Sequence, residues 1–163
     1  MERRPIALIT GGTRGIGLAT ARRLAHAGYD LALVYHRDHD AASRSRAHFD
    51  EPTRVLTLAH DVGTPDGAGA AVQACVQRYG RIDLLVNNVG PFVPKPLLET
   101  SIEEYHLQVA GNLGSTVFMC QAVIPLMRSQ GSGQIVNLVS LNAEVGRGAP
   151  NFALYHARKV AIL

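Results

Sequence analysis

Residues 6–27 read Ile6-Ala7-Leu8-Ile9-Thr10-Gly11-Gly12-Thr13-Arg14-Gly15-Ile16-Gly17-Leu18-Ala19-Thr20-Ala21-Arg22-Arg23-Leu24-Ala25-His26-Ala27. A short, nearly continuous apolar strand from Ile6 to Thr10 runs into a glycine-rich turn. A helix from about Gly15 to Ala27 follows and stops at Gly28. Glycines at such a junction allow a tight turn and let backbone approach a pyrophosphate closely, and the positive helix N-terminus favours that charge. Gly11, Gly15 and Gly17 follow Thr-Gly-x-x-x-Gly-x-Gly, a longer turn than the Gly-x-Gly-x-x-Gly of many dinucleotide folds.

The same rhythm continues outward from this unit. Leu31 to Tyr35, Val55 to Leu58, Ile82 to Val86 and Ile135 to Val139 are further short apolar runs, as expected for a parallel sheet covered on both faces. Helices are expected between them. Thr64 followed by Pro65 supplies a cap and a first helical position. Ser101 with Glu104 forms a capping box that opens the longest helix, expected to run past Met119 towards Met127 with Pro125 tightening its last turn. Strand alternating with helix argues for a doubly wound α/β sheet, where ligands sit beyond the carboxyl ends of the strands.

Composition narrows the function classes. A chain of 163 residues with 47% hydrophobic content can bury one sizeable core, and residues 1–163 read as a single domain without linker or repeat. The formal charge is only +3, with basic residues scattered among acidic ones, so a nucleic-acid partner is not expected. Cys75 and Cys120 give neither a disulfide framework nor metal-ligand spacing, and the seven histidines show none either, so no metal is assigned. Met1 to Pro5 leads straight into the first strand, too briefly for a signal sequence or a membrane span. The expectation is a soluble cytoplasmic protein with no membrane partner.

Near the far end stand Tyr155 and Lys159, a phenol and an ammonium spaced i,i+4 on one helix face. A neighbouring cation stabilises phenolate and pulls a phenol below its usual value of about 10, which makes an acid/base usable at neutral pH. Taken alone the pair also reads as packing plus a snorkelling amine. Its position relative to the glycine turn gives it chemical meaning.

Together these features resemble the short-chain dehydrogenase/reductase family in its compact form, over the whole chain from Ile6 to Leu163. Asn87-Asn88-Val89-Gly90 is similar to that family's Asn-Asn-Ala-Gly element, with Val89 a conservative departure. Asn112, Ser140, Tyr155 and Lys159 follow in the family's order. The resemblance implies a Rossmann-type sheet of strand order 3-2-1-4-5. It implies that Tyr155 exchanges a proton with a substrate carbonyl or hydroxyl while hydride moves to or from a nicotinamide. Lys159 would stabilise the phenolate and hold the nicotinamide ribose, and Ser140 would hydrogen-bond the substrate oxygen. Asn112 would interrupt the long helix and hold a water that links Lys159 to solvent.

The expected cofactor contacts are Gly11, Thr13, Arg14, Gly15, Ile16 and Gly17 in the turn, Tyr35, His36 and Arg37 after strand two, and Asp61 with Val62 after strand three. Asn88, Val89 and Gly90 after strand four complete them with Tyr155 and Lys159. An NAD site typically offers Asp or Glu at the end of strand two. Tyr35 occupies that place, and Arg14 and Arg37 could converge on a 2′-phosphate, which favours NADP(H) over NAD(H). Solvated surface charges at Arg14 and Arg37, a ribose contact from Asp38, and a plain turn role for Asp61 stay open.

The substrate is expected to be a small-molecule carbonyl or secondary alcohol, in a pocket lined by Pro91, Phe92, Val145 and Phe152 at the loop from Leu141 to Leu154. The chain stops one turn after Lys159, whereas relatives continue through two further strands, so the family's last two strands are expected to be lacking. That would leave Ile135, Val136, Leu138 and Val139 of an outer strand five without cover, and a short terminal helix dependent on packing against that strand. A homo-oligomer is expected, since relatives pair through their long helices. A truncated, catalytically silent dinucleotide-binding or interaction module is the alternative to a carbonyl reductase.

Overall fold

A computed structural model describes residues 3–51, 54–140 and 151–162. Among them are the strands β1 (Ile6–Thr10), β2 (Asp30–Tyr35), β3 (Val55–Ala59), β4 (Leu84–Asn87) and β5 (Gln134–Asn137). They form one parallel sheet in the order β3-β2-β1-β4-β5. The helices are α1 (Gly15–His26), α2 (His39–Ser45), α3 (Pro65–Tyr79), α4 (Ile102–Val109), α5 (Ser115–Gln130) and α6 (Ala153–Val160).

Alternate strand residues point to opposite faces. Ile6, Leu8, Ala32, Val34 and Leu85 meet α3 and α5 on one side, while Ala7, Ile9, Leu31, Leu33 and Val86 meet α1 on the other. Both faces of β1 and β2 are thereby sealed, which is why their sequences are continuous rather than alternating apolar runs. The helical run Ile102–Gln130 is long and apolar enough to cross a membrane by length and composition. Here it folds back on the sheet, with Met119, Val123 and Met127 buried in the core beside α3.

Several boundaries follow local chemistry. The Thr64 side chain accepts from Gly67 N and Pro65 begins α3, which ends at left-handed Gly80. Ser101 and Glu104 form both halves of the capping box on α4. Asp38 caps α2 by accepting from Ala41 N.

Other boundaries differ from expectation. β4 begins at Leu84 because the backbone of Ile82 bonds the Gln130 side chain, donating at 3.2 Å and accepting at 2.9 Å, instead of joining a strand. β5 spans Gln134–Asn137, not Ile135 to Val139, as β4 in register opposes only those four residues. The long helix is broken by a π-helical turn at Ala110–Gly114 and then runs past Pro125 to Gln130. Pro125 is tolerated inside α5 because the carbonyl it leaves free, that of Gln121, lies on an exposed position.

β5 is the outer strand, as expected. Val136 and Val139 are exposed, but Ile135 and Leu138 find cover against the two core clusters. α6 packs mainly on the π-turn and α4 rather than on β5, so its stability comes from the middle of the chain.

Candidate active site

The carboxyl ends of β1, β2, β3 and β4 open on one side of the sheet. Gly11 and Gly15 adopt φ of +62° and +55°, a region costly for any residue with a Cβ. A Cβ on Gly17 would collide with the Gly11 carbonyl and come within 2.7 Å of Asn88 Nδ2, whereas one on Gly15 would meet none of the described residues within 4 Å. Gly17 is thus required by packing, and Gly15 leaves open space above the turn. The first turn of α1 has no acidic residue and no side-chain cap, so its N–H groups stay available to an anion. Thr13 is buried beneath the turn and Ile16 is exposed on it.

Asn88 ties this turn to β4. Its Nδ2 donates to the Thr10 carbonyl at 2.9 Å and the Gly11 carbonyl at 3.2 Å. The backbone N–H groups of Asn88 and Val89 both donate to Thr10 Oγ1, at 2.9 and 3.1 Å. The residues after β4 therefore form one rigid unit with the glycine turn.

Charged groups gather at the ends of β2 and β3. Arg14 Nη1 lies 3.5 Å from Asp38 Oδ2, and His36 Nε2 lies 3.7 Å from Asp61 Oδ2. Arg37 Nε donates to His36 Nε2 at 3.3 Å, and the Tyr35 hydroxyl meets His39 Nδ1 at 3.0 Å. Asp38 is doubly committed, to Arg14 and to the cap of α2. Asp61 accepts from Gly63 N at 3.0 Å, a turn role, while Val62 is buried in the core.

The second half of the site is built by the π-turn and α6. Asn112 is fully buried, with Nδ2 donating to the carbonyls of Gln108 at 3.0 Å and Pro91 at 3.2 Å. Its own carbonyl accepts from the Ser115 and Thr116 hydroxyls, each at 3.0 Å. Among the described residues its Oδ1 has no hydrogen-bond partner. A Cβ placed on Gly90 would strike that Oδ1 and lie 3.5 Å from Lys159 Nζ. Gly90 is the spacer that lets Asn112 and Lys159 approach the same point.

Lys159 is buried and donates to the Leu138 carbonyl at 2.8 Å. Burial holds its ammonium below the ordinary lysine value, and neighbouring Arg158 adds to the effect. Four residues earlier, Tyr155 packs edge-on against Phe92, ring centroids 4.9 Å apart, and Phe92 stacks on Phe152 at 5.5 Å. Tyr155 and Lys159 thus meet Phe92 and Gly90, two residues apart on the segment leaving β4. Ser140 is half-buried two residues beyond Leu138, and among the described residues no hydrogen bond joins it to Tyr155. Val145 and Leu163 lie outside the described residues. Among the described residues, no group of three His, Cys, Asp or Glu could hold a metal ion.

Sequence reasoning missed Thr10, Gln108 and Arg158. Arg158 is 3% exposed, its Nη2 donating to the Pro91 carbonyl at 2.8 Å and its Nη1 to Gln108 Oε1. The available signal was spacing: Arg158 sits i+3 from Tyr155, and Gln108 sits i−4 from Asn112, each on the face of its neighbour.

A family model described as short chain dehydrogenase matches residues 5–163. The short-chain reductase protein NovJ of Streptomyces niveus is 36% identical over 148 residues, covering 91% of this chain and 56% of that protein. The 3-oxoacyl-[acyl-carrier-protein] reductase FabG of Chlamydia muridarum is 35% identical over 159 residues, covering 96% and 63%. Among solved structures, levodione reductase superposes with a TM-score of 0.88 at 35% identity, over 97% of this chain and 62% of that one. The chain thus spans less than two thirds of the length of these relatives.

Proposed function

This chain belongs to the short chain dehydrogenase family, and from that premise we propose that it is an NADP(H)-dependent oxidoreductase interconverting a small-molecule carbonyl and a secondary alcohol. Residues 1–163 form one dinucleotide-binding domain in this reading. The observation that carries it is the convergence of Tyr155 and Lys159 on Phe92 and Gly90, a segment held to the glycine turn by Asn88.

Residues of the turn suit a pyrophosphate: open space at Gly15 and uncapped N–H groups of α1. Gly11, Thr13, Arg14, Gly15, Ile16 and Gly17 would hold it, with Val62 and Asp61 beside the adenine and Asn88, Val89 and Gly90 along the nicotinamide side. Arg14 and Arg37 would meet a 2′-phosphate, for which Arg14 would exchange its exposed contact with Asp38 for a stronger charge-assisted one. When bound, the nicotinamide supplies or accepts the hydride.

The chain's own residues handle the proton. Tyr155 gives it to a forming alkoxide or takes it from an alcohol, in the ionisation state that Lys159 favours. Ser140 hydrogen-bonds the substrate oxygen. Asn112 Oδ1, buried beside Lys159 and without a partner among the described residues, is suited to hold the water through which Lys159 reaches solvent. Phe92 and Phe152 give the substrate side an apolar, aromatic wall.

Two further features belong to this reading. The exposed Leu97, Leu98, Ile102 and Tyr105 before and on α4 support self-association through the α4–α5 side. The free thiols of Cys75 and Cys120 suit a reducing cytoplasm. Cofactor choice is tested by fluorescence titration with NADPH and NADH. NADPH is expected to bind more tightly, and Arg14→Ala with Arg37→Ala to erase the preference. Tighter NADH binding by the unaltered protein would overturn it.

A further inference from the structure

Arg158 is the unexplained group of this site. It lies between Tyr155 and Lys159 in sequence and, although a guanidinium, is buried. Among the described residues it has no carboxylate partner, and its Nε has no hydrogen-bond partner at all. Burying an uncompensated cation is costly, and an apolar residue could fill the same volume. What the charge does face is Tyr155: the guanidinium carbon stands 4.9 Å from the ring centroid.

On the reading that Tyr155 is the acid/base, we infer that Arg158 is a positioning residue that holds the Tyr155 ring by its face and favours phenolate over phenol. A cation over an aromatic face is attracted by the ring's negative quadrupole, and more strongly once that ring carries a full negative charge. The interaction therefore stabilises the two protonation states unequally. Its fork is fixed from behind by Gln108 on α4 and by the Pro91 carbonyl. Because Pro91 immediately precedes Phe92, which packs edge-on against Tyr155, the same guanidinium sets both surfaces that confine the phenol.

Burial lowers the proton affinity of Arg158 and the proximity of Tyr155 raises it again. Other ionisable groups near Tyr155 are Lys159 and His156 on its own helix, with the His156 ring at 5.8 Å. The segment opposite contributes uncharged Pro91 and Phe92, and α4 contributes Gln108. The Lys95–Glu104 ion pair between those elements is internally neutral. Among the described residues, Arg158 is the cation set over the Tyr155 ring, and Lys159 lies one turn further along the same helix. Arg158 differs in acting on the ring face.

The test reads Tyr155 ionisation directly, as the pH-dependent phenolate absorbance that Tyr155→Phe removes. It compares the unaltered protein with Arg158→Met, Arg158→Lys and Gln108→Glu. Gln108→Glu places a carboxylate on the guanidinium and neutralises it without removing its packing. The Tyr155 midpoint is expected to rise by about one pH unit in Arg158→Met and Gln108→Glu, and to return towards the original in Arg158→Lys. The acid limb of the pH profile for alcohol oxidation should move by the same amount. If Arg158→Met does not fold, Gln108→Glu decides. An unmoved Tyr155 midpoint in Gln108→Glu overturns the inference. A shifted midpoint in a protein without turnover overturns the proposed activity and leaves the role of Arg158 standing.

Discussion

Asn88 grips Thr10 twice across 78 residues of sequence, its backbone N–H donating to Thr10 Oγ1 and its carboxamide to the Thr10 carbonyl, both at 2.9 Å. Thr10 Oγ1 also accepts from Val89 N and lies 3.4 Å from the Val86 carbonyl, to which it donates. One buried hydroxyl therefore joins the glycine turn of β1 to the end of β4. Both halves of the site depend on that joint.

Thr10→Val keeps the shape and removes the hydroxyl, leaving the N–H groups of Asn88 and Val89 without their acceptor. Each such loss costs roughly 1–3 kcal/mol, so the variant is expected to be destabilised by about 2–4 kcal/mol in urea unfolding. Thr10→Ser should recover most of it. A loss in Thr10→Val below about 0.5 kcal/mol would show that the joint is not structural.

The glycines of the turn should respond unequally. Gly17→Ala drives a methyl into the Gly11 carbonyl and Asn88 and is expected to abolish NADPH binding while costing about 2 kcal/mol or more. Gly15→Ala meets open space and bears only the strain of its φ of +55°, about 1 kcal/mol. Thermal unfolding and cofactor titration of the two variants check the order. Equal effects would contradict the packing argument.

Stability should fall in alkaline solution through Cys75. Burial pushes this thiol from its ordinary 9.0 up to about 12 in the folded chain. Unfolded protein releases that proton from pH 9.0 while folded protein keeps it to about 12, so across this window the unfolded state binds fewer protons and is increasingly favoured. The loss is at most about 1.4 kcal/mol per pH unit. Tyr79, also raised to about 12 by burial, adds to it. Urea midpoints measured from pH 8 upward, roughly one unit apart, should decline more gently in Cys75→Ala. Parallel declines would remove Cys75 from the account.

The parts of this fold legible in sequence are those set by local chemistry. The strand-turn-helix at Ile6 to His26, the Thr64-Pro65 start and the Ser101/Glu104 box all depend on residues within a few positions of one another. The π-turn was foreshadowed by the resemblance at Asn112 and by the weak helix formers Gly111, Asn112 and Gly114, but these residues do not say which distant groups hold it. It is stabilised by the Pro91 carbonyl, 21 residues away, and by the Ser115 and Thr116 hydroxyls. The start of β4 was misjudged because Gln130, 48 residues on, claims the backbone of Ile82. Arg158 was overlooked because a charged residue on a helix reads as solvent-facing. Only the fold brings Gln108 and Pro91 to it, from 50 and 67 residues away.

The central claim is that Tyr155, biased by its neighbouring cations, moves the proton while hydride is exchanged with a nicotinamide. NADPH oxidation by the purified protein with a panel of ketones, side by side with Tyr155→Phe, tests it most directly. The account predicts turnover with at least one ketone and a loss of about a hundredfold or more in the variant, with NADPH binding retained in both. A Tyr155→Phe protein as active as the original, or a folded, NADPH-bound original that reduces none of the ketones, would contradict it.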